Sequence, residues 1–465
     1  MPLTLLLPWT RLVGLGTGTF LTGLLSRFWP RRSVTRLSVF FGLGWGAGLI
    51  QDVIPGLPKF TGVQWYPIGA IAVLGLWMLQ QVLWRRVGST SADLGEETLG
   101  VRLSSLYAQA ADIWGYVLSV GLLLGLTAEV SLFYASLRSL QSSYLAALML
   151  LIAAILWRQW QAPQNSGVYL IGWGAELLLA EALQGAGGDL LTLSAATVAL
   201  GLISLAIATW LQARSRLRLR SLEVLPLLYG LLAIALRSSD FTATTGWITL
   251  GVALIVLETG RRFQSRWLGW LALAGCSLGW YELVLYQLAQ AEGGDPGDGL
   301  VVLAGVAVLL MGVYRLSERW LRQRLRYPQL ELVAAAHLHW AIASLLLLLT
   351  LPSVIASSLR LVLLALGVAA LATLYPLWQG RTAQSEAWLY TGLGQALGLL
   401  VYVRLLLPAL SVLDDWGRSD RGGDCRGTLH TALAALGLAA AALAALGNGF
   451  AHSGDDRGRA VAKFA

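Results

Sequence analysis

Residues 173 to 183, WGAELLLAEAL, set two carboxyl groups, Glu176 and Glu181, inside an otherwise apolar stretch. In a helix rising about 1.5 Å per residue they lie about 7.5 Å apart along the axis and about 140° apart around it, so they do not make one paired-carboxylate site. Each carboxyl must be accounted for separately. A charged carboxyl at mid-membrane costs at least about 2.5 to 3.5 kcal/mol, so such a group faces the bundle interior, pairs, or holds a proton. The chemistry open to it is a proton or cation relay, a polar contact for a substrate in a central cavity, or an interhelical hydrogen bond that fixes register.

The same pattern returns further along the chain. ELLLAEALQGAGGD (176 to 189) aligns without gaps to ELVLYQLAQAEGGD (282 to 295), with seven of fourteen positions identical. Glu282 and Gln287 therefore stand where Glu176 and Glu181 stand in the first copy. Weaker echoes occur at WGAGL (45 to 49) and LYTGLGQAL (389 to 397), where glycine replaces or falls close to the glutamate position. Repetition raises a functional reading, but a repeat copies structural bonds as well.

Fewer polar residues mark the other apolar runs. Asp52, Asp112 and Glu258 lie near run ends, and Arg404 in the outer third of its run is a candidate counter-ion for a glutamate, although its long stem equally suits snorkelling to the interface. His337 and His339 are two apart and point to different faces of a helix, unlike the i, i+4 pair of a zinc site, and read as structural. GLGTGTFLTG (14 to 23) lacks the lysine of a phosphate loop and reads as a small-residue packing face. The Gly-Gly-Asp segments at 187 to 189 and 293 to 295 have turn composition, and Cys276 and Cys425 form no metal or disulfide pattern. Neither a catalytic constellation nor a metal or cofactor site is expected.

The elements that position these groups follow from composition. Of 465 residues, 56% are hydrophobic and 12% charged, against about 25% charged in soluble domains. Apolar runs predict fifteen spans, at about 3 to 26, 37 to 54, 63 to 84, 107 to 128, 142 to 157, 168 to 185, 190 to 212, 223 to 237, 243 to 259, 267 to 290, 299 to 315, 331 to 350, 359 to 378, 387 to 409 and 428 to 448. The longest polar stretches are too short for a nucleotide-binding or catalytic domain, so any chemistry belongs to the bundle.

Of the 33 Lys and Arg residues, 24 fall in one set of alternate loops and the C-tail, including the ladders RSRLRLR (214 to 220) and ERWLRQRLR (318 to 326), and 7 in the opposite set. The positive-inside rule then puts the N-terminus outside and the C-terminus in the cytoplasm of a cell membrane, of bacterial inner-membrane type. The net charge of +8 belongs to these membrane-flanking arginines, which are expected to meet anionic headgroups rather than nucleic acid.

The expected fold is an all-α polytopic transmembrane helical bundle of about fifteen spans with tandem parallel four-helix repeats. Its segments are 1–106 (three spans, a partial repeat), 107–221 and 222–330 (four-span repeats) and 331–465 (a degenerate repeat). The N-terminus reads as a first span rather than a cleaved signal and as a shortened first unit. After Trp416 aromatic belt residues give way to an Ala/Leu-rich last span, the composition of a plain final helix or of a fused tail.

The leading expectation for function is a transporter or permease-like protein using the mid-membrane glutamates, a reading that leans away from an enzyme without closing that question. The alternative is a membrane-embedded enzyme or assembly factor acting on lipid or lipid-linked substrates, which predicts a lateral groove with convergent polar groups near the glutamates. A third reading makes the glutamates packing bonds only.

Overall fold

In the computed structural model the described residues are 8–52, 62–94, 99–135, 142–214, 219–291, 296–325, 329–354 and 359–419. Among them every regular element is helical. The α-helices in chain order are α1 (Pro8–Phe28), α2 (Arg32–Asp52), α3 (Trp65–Leu94), α4 (Leu99–Tyr134), α5 (Ser142–Gln161), α6 (Asn165–Gly185) and α7 (Leu190–Arg214). They continue with α8 (Arg220–Leu236), α9 (Thr245–Phe263), α10 (Arg266–Gln290), α11 (Pro296–Leu325), α12 (Gln329–Val354), α13 (Leu359–Ala383) and α14 (Glu386–Ser419). A 3-10 turn, Gly62–Gln64, leads into α3.

Each helix falls on one of the first fourteen apolar runs, while the run at 428 to 448, the residues after Trp416 beyond 419, and Cys425 lie outside the described residues. Among the described residues ten helices are long and apolar enough to cross a membrane: α2 to α7 and α10 to α13. Of the others, α8 has 17 residues and α9 ends in the charged triplet of Glu258, Arg261 and Arg262.

Several helices outrun their apolar segments. α4 spans 36 residues and α11 spans 30, where the hydrophobic runs predict about 22 and 17. The cause is propensity: Arg, Glu, Gln and Leu are strong helix formers, so the ladder at the end of α11 continues the helix after the apolar stretch stops. At about 1.5 Å per residue α4 is about 54 Å long, which exceeds a hydrocarbon core of about 30 Å.

The outward faces are apolar. Phe20, Ile203, Leu231 and Leu348 are all exposed, the reverse of a water-soluble bundle and compatible with an integral membrane protein whose helices contact lipid.

The chain divides within α10 into two compact units, residues 1–276 and 277–465. In the first, α3, α4, α5 and α6 share a core centred on Val73, Trp77, Leu123, Leu148, Leu151 and Leu177. A second cluster joins Val198, Ala233, Ile248 and Ile255 of α7, α8 and α9. α6 packs against α4, α5, α7 and α8 and is the most buried of the ten candidate spans. The helix carrying WGAELLLAEAL is thus packed on four neighbours of its unit.

The turn after α6 explains the first Gly-Gly-Asp. Gly187 takes φ +80°, which glycine adopts without a Cβ penalty, and the Gly188 and Gly187 N–H groups donate to the Leu183 and Gln184 carbonyls at 2.9 Å each. Asp189 then caps α7, accepting from the Thr192 N–H at 2.8 Å. The corresponding turn at 293 to 295 lies outside the described residues.

Candidate functional site

Along α6 the polar groups form a line rather than a cluster. At its start, Asn165 Oδ1 accepts from the Ser221 N–H and hydroxyl, at 3.1 and 3.0 Å. Further in, the Tyr229 hydroxyl donates to the Gly172 carbonyl at 2.8 Å, and Trp173 Nε1 donates to Thr127 Oγ1 at 3.0 Å. The Tyr134 hydroxyl then donates to the Ala180 carbonyl at 3.1 Å. Side chains of α4 and α8 thus bind α6 at several depths.

Glu176 sits within this line at 7% exposure, and Thr197 of α7 donates to its Oε1 at 2.6 Å. The same hydroxyl lies 2.8 Å from the Leu193 carbonyl. A threonine hydroxyl has one proton to donate. When it points to the carbonyl, a hydrogen bond between Thr197 and Glu176 requires the proton to sit on the carboxyl. The hydroxyl can therefore donate to Glu176 in either protonation state, and accept from it only when the carboxyl holds a proton.

Glu181 is more deeply placed, at 2% exposure. Both of its carboxyl oxygens, together with Glu176 Oε2 and Gln184 Oε1, are buried with no hydrogen-bond partner among the described residues. Neither glutamate has a salt bridge among them. Buried polar atoms are satisfied in the great majority of cases, so Glu181 calls for an explanation beyond packing.

The second-copy residues have other surroundings. Within the second unit Glu282 is half-buried, and Gln287 and Arg404 are exposed, with Arg404 pairing to no carboxylate among the described residues. Among the described residues cations pair elsewhere: Arg11 with Asp52, Arg158 with Asp112, Arg261 and Arg262 with Glu258, and Arg315 with Glu318.

The two histidines diverge. His337 Nδ1 lies 2.8 Å from the Tyr375 hydroxyl and its ring packs on Trp388, whereas His339 packs between Tyr281 and Tyr314 with Nδ1 on the Ala335 carbonyl at 2.8 Å. No group of three or more His, Cys, Asp or Glu arranged to hold a metal occurs among the described residues.

A second polar locus, which the sequence did not single out, opens where α5 turns into α6. It is a cavity of about 390 Å³ walled by Gln80, Gln81 and Trp84 of α3, Asp112 of α4 and Arg158 of α5. Gln109, Gln161, Ala162 and Gln164 complete the lining. Arg158 clamps Asp112 with two parallel bonds, Nε to Oδ1 at 2.8 Å and Nη2 to Oδ2 at 3.1 Å. Beneath them the Tyr116 hydroxyl donates to Gln164 Oε1 and accepts from Gln159 Nε2, both at 3.2 Å, while Gln159 Oε1 accepts from the Gln164 N–H at 2.7 Å.

Gly167 makes room for this network, because a Cβ there would fall 1.5 Å from Gln159 Nε2. The glutamates are not among the residues lining the cavity. Gln164 at its rim is twelve residues before Glu176, about 18 Å along α6. A usable signal did exist in the sequence, since Asp112 and Arg158 are opposite charges near the same end of neighbouring antiparallel spans.

Many apolar helices and an inward-facing polar line define a class of protein, the multi-helix chain compatible with membrane embedding. Comparison with protein-family models, with curated proteins and with solved structures finds no match.

Proposed function

We propose that the chain is a polytopic, permease-like protein of the cell membrane in which Glu176 and Glu181 on α6 are proton-exchanging carboxyls. The observation that carries this reading is Glu181, buried at 2% exposure with neither oxygen hydrogen-bonded among the described residues. A glutamate kept only to fix helix register needs a partner, and an apolar side chain would pack there at lower cost. Sites that break the rule of satisfied burial are where function is expected.

The Thr197 hydroxyl, within reach of both Glu176 Oε1 and the Leu193 carbonyl, supports the same reading at Glu176, as does the high burial of α6 among the candidate spans. In this account protons enter and leave from the two ends of α6 and the carboxyls hold them in the interior. Fifteen spans, an outside N-terminus, parallel four-helix repeats with Glu282 as the counterpart of Glu176, and arginine clusters on anionic headgroups complete the proposal. The enzyme or assembly-factor alternative is less favoured, since the glutamates do not line the polar cavity that would be its groove.

The test is proton entry into liposomes containing the purified protein and a trapped pH-sensitive dye, driven by an imposed membrane potential. The reading expects faster acidification than in protein-free liposomes, slowed at least fivefold by Thr197→Val in a variant that elutes as wild type. Wild-type rates equal to those of protein-free liposomes, or a Thr197→Val rate equal to wild type, would overturn it.

A further inference from the structure

The cavity at the α5–α6 turn has the features of a built binding site that the proton-exchange account does not use. Gln80 is 7% exposed, yet its amide makes no hydrogen bond among the described residues and is not enclosed by protein atoms, so it presents its donors and acceptor to the cavity. Arg158 is 5% exposed and spends Nε and Nη2 on Asp112; Nη1 has no partner among the described residues and also borders open space. Two deeply set polar groups thus point unpaired N–H groups into one cavity of about 390 Å³, which lies within the roughly 300 to 1,000 Å³ of small-molecule sites.

The chemistry of the lining limits the ligand. Asp112 and Arg158 cancel each other, and the other polar lining groups are uncharged amides, so an anion would meet the Asp112 carboxylate and a cation the Arg158 guanidinium without net gain. A carboxamide offers both donors and an acceptor, which matches groups that are donor and acceptor at once, and the uncharged hydroxyl is one group of that kind. Trp84 adds an exposed indole face, whose negative quadrupole suits the polarised C–H face of a sugar ring.

We propose that this cavity binds a neutral polyhydroxylated group of about one hexose unit, with Gln80, Arg158 and Trp84 as its principal contacts. The group has two possible sources, a free sugar or the sugar headgroup of a glycolipid. Binding, not flux, is read, so failure here leaves the proton-exchange proposal standing, and the reverse.

Two arms separate the sources. Saturation-transfer NMR on the protein in nanodiscs probes free glucose and maltose, and native mass spectrometry of protein released from mixed nanodiscs compares retained glucosyl-diacylglycerol with phosphatidylglycerol. The expected result is selective binding in one arm, which names the source, reduced at least tenfold by Gln80→Leu and by Trp84→Ala in variants that melt as wild type. Binding in neither arm, phosphatidylglycerol retained as well as the glycolipid, or binding unchanged in a correctly folded Gln80→Leu protein would overturn the proposal.

Discussion

Arg158, in the last turn of α5, is joined to Asp112 of α4 by two parallel hydrogen bonds of 2.8 and 3.1 Å, with side chains only 6% and 22% exposed. This planar, bidentate arrangement is the strongest form of Arg–carboxylate pair. It ties two helices together at the mouth of the polar cavity. Removing one partner leaves a buried charge, so Arg158→Gln should lower stability by about 3 kcal/mol, whereas Arg158→Met combined with Asp112→Leu should recover most of the loss. Unfolding in detergent checks both. A double variant no more stable than Arg158→Gln would show that the pair is not the source of the loss.

Gly167 tests the network beneath that pair. A Cβ at this position would overlap Gln159 Nε2, displacing the side chain that bonds Tyr116 and the Gln164 N–H. Gly167→Ala should cost about 1 to 3 kcal/mol, the range for overpacked sites, and adding Gln159→Ala should relieve the overlap and restore part of the stability. The pair of melting curves decides it.

Glu176 and Thr197 should be coupled across the α6–α7 interface. Their 2.6 Å contact predicts a double-mutant cycle energy, from Glu176→Gln and Thr197→Val, of about 0.6 to 1.7 kcal/mol. Additive effects would show that the two side chains act independently.

Asp189 gives a pH signature outside the apolar segments. Its carboxyl is held below the usual aspartate range, first by the Thr192 N–H and then by the Thr192 side chain. A depressed folded value means that the cap's contribution is fully present above the unfolded value of about 3.9 and is lost as pH falls through the lower folded value. Amide protection, taken relative to the intrinsic exchange rate at each pH, should therefore fall in the first turn of α7 only at acid pH, and Asp189→Asn should abolish that pH step. A step that persists in Asp189→Asn would assign it to another group.

The helices were legible because lipid-length apolar runs are a one-dimensional signal, and α6 and α7 lie within a few residues of the runs that announce them. Their ends were less so, since helix-forming charged residues carry α4 and α11 past the apolar boundary. The presence of Glu176 and Glu181 within an apolar run was readable, but not that Glu181 would be left without a partner among the described residues. Local sequence also could not show that Gln287 would be exposed where Glu181 is buried, because the identical frame says nothing of what packs against each copy. The cavity was hidden for a related reason. Arg158 and Asp112 lie 46 residues apart in the chain, and nothing local to either marks the other as its partner.

The central claim is that Glu181 is retained for proton exchange and not for packing, and it is tested most directly by the proton-entry rate of Glu181→Gln in liposomes relative to wild type, at equal protein content and with melting followed on the same preparation. The account predicts a rate at least tenfold lower with stability equal to or above wild type, since the amide leaves no exchangeable acid in a site that gives the carboxylate no partner. A rate equal to wild type, with or without a fall in stability, would contradict it.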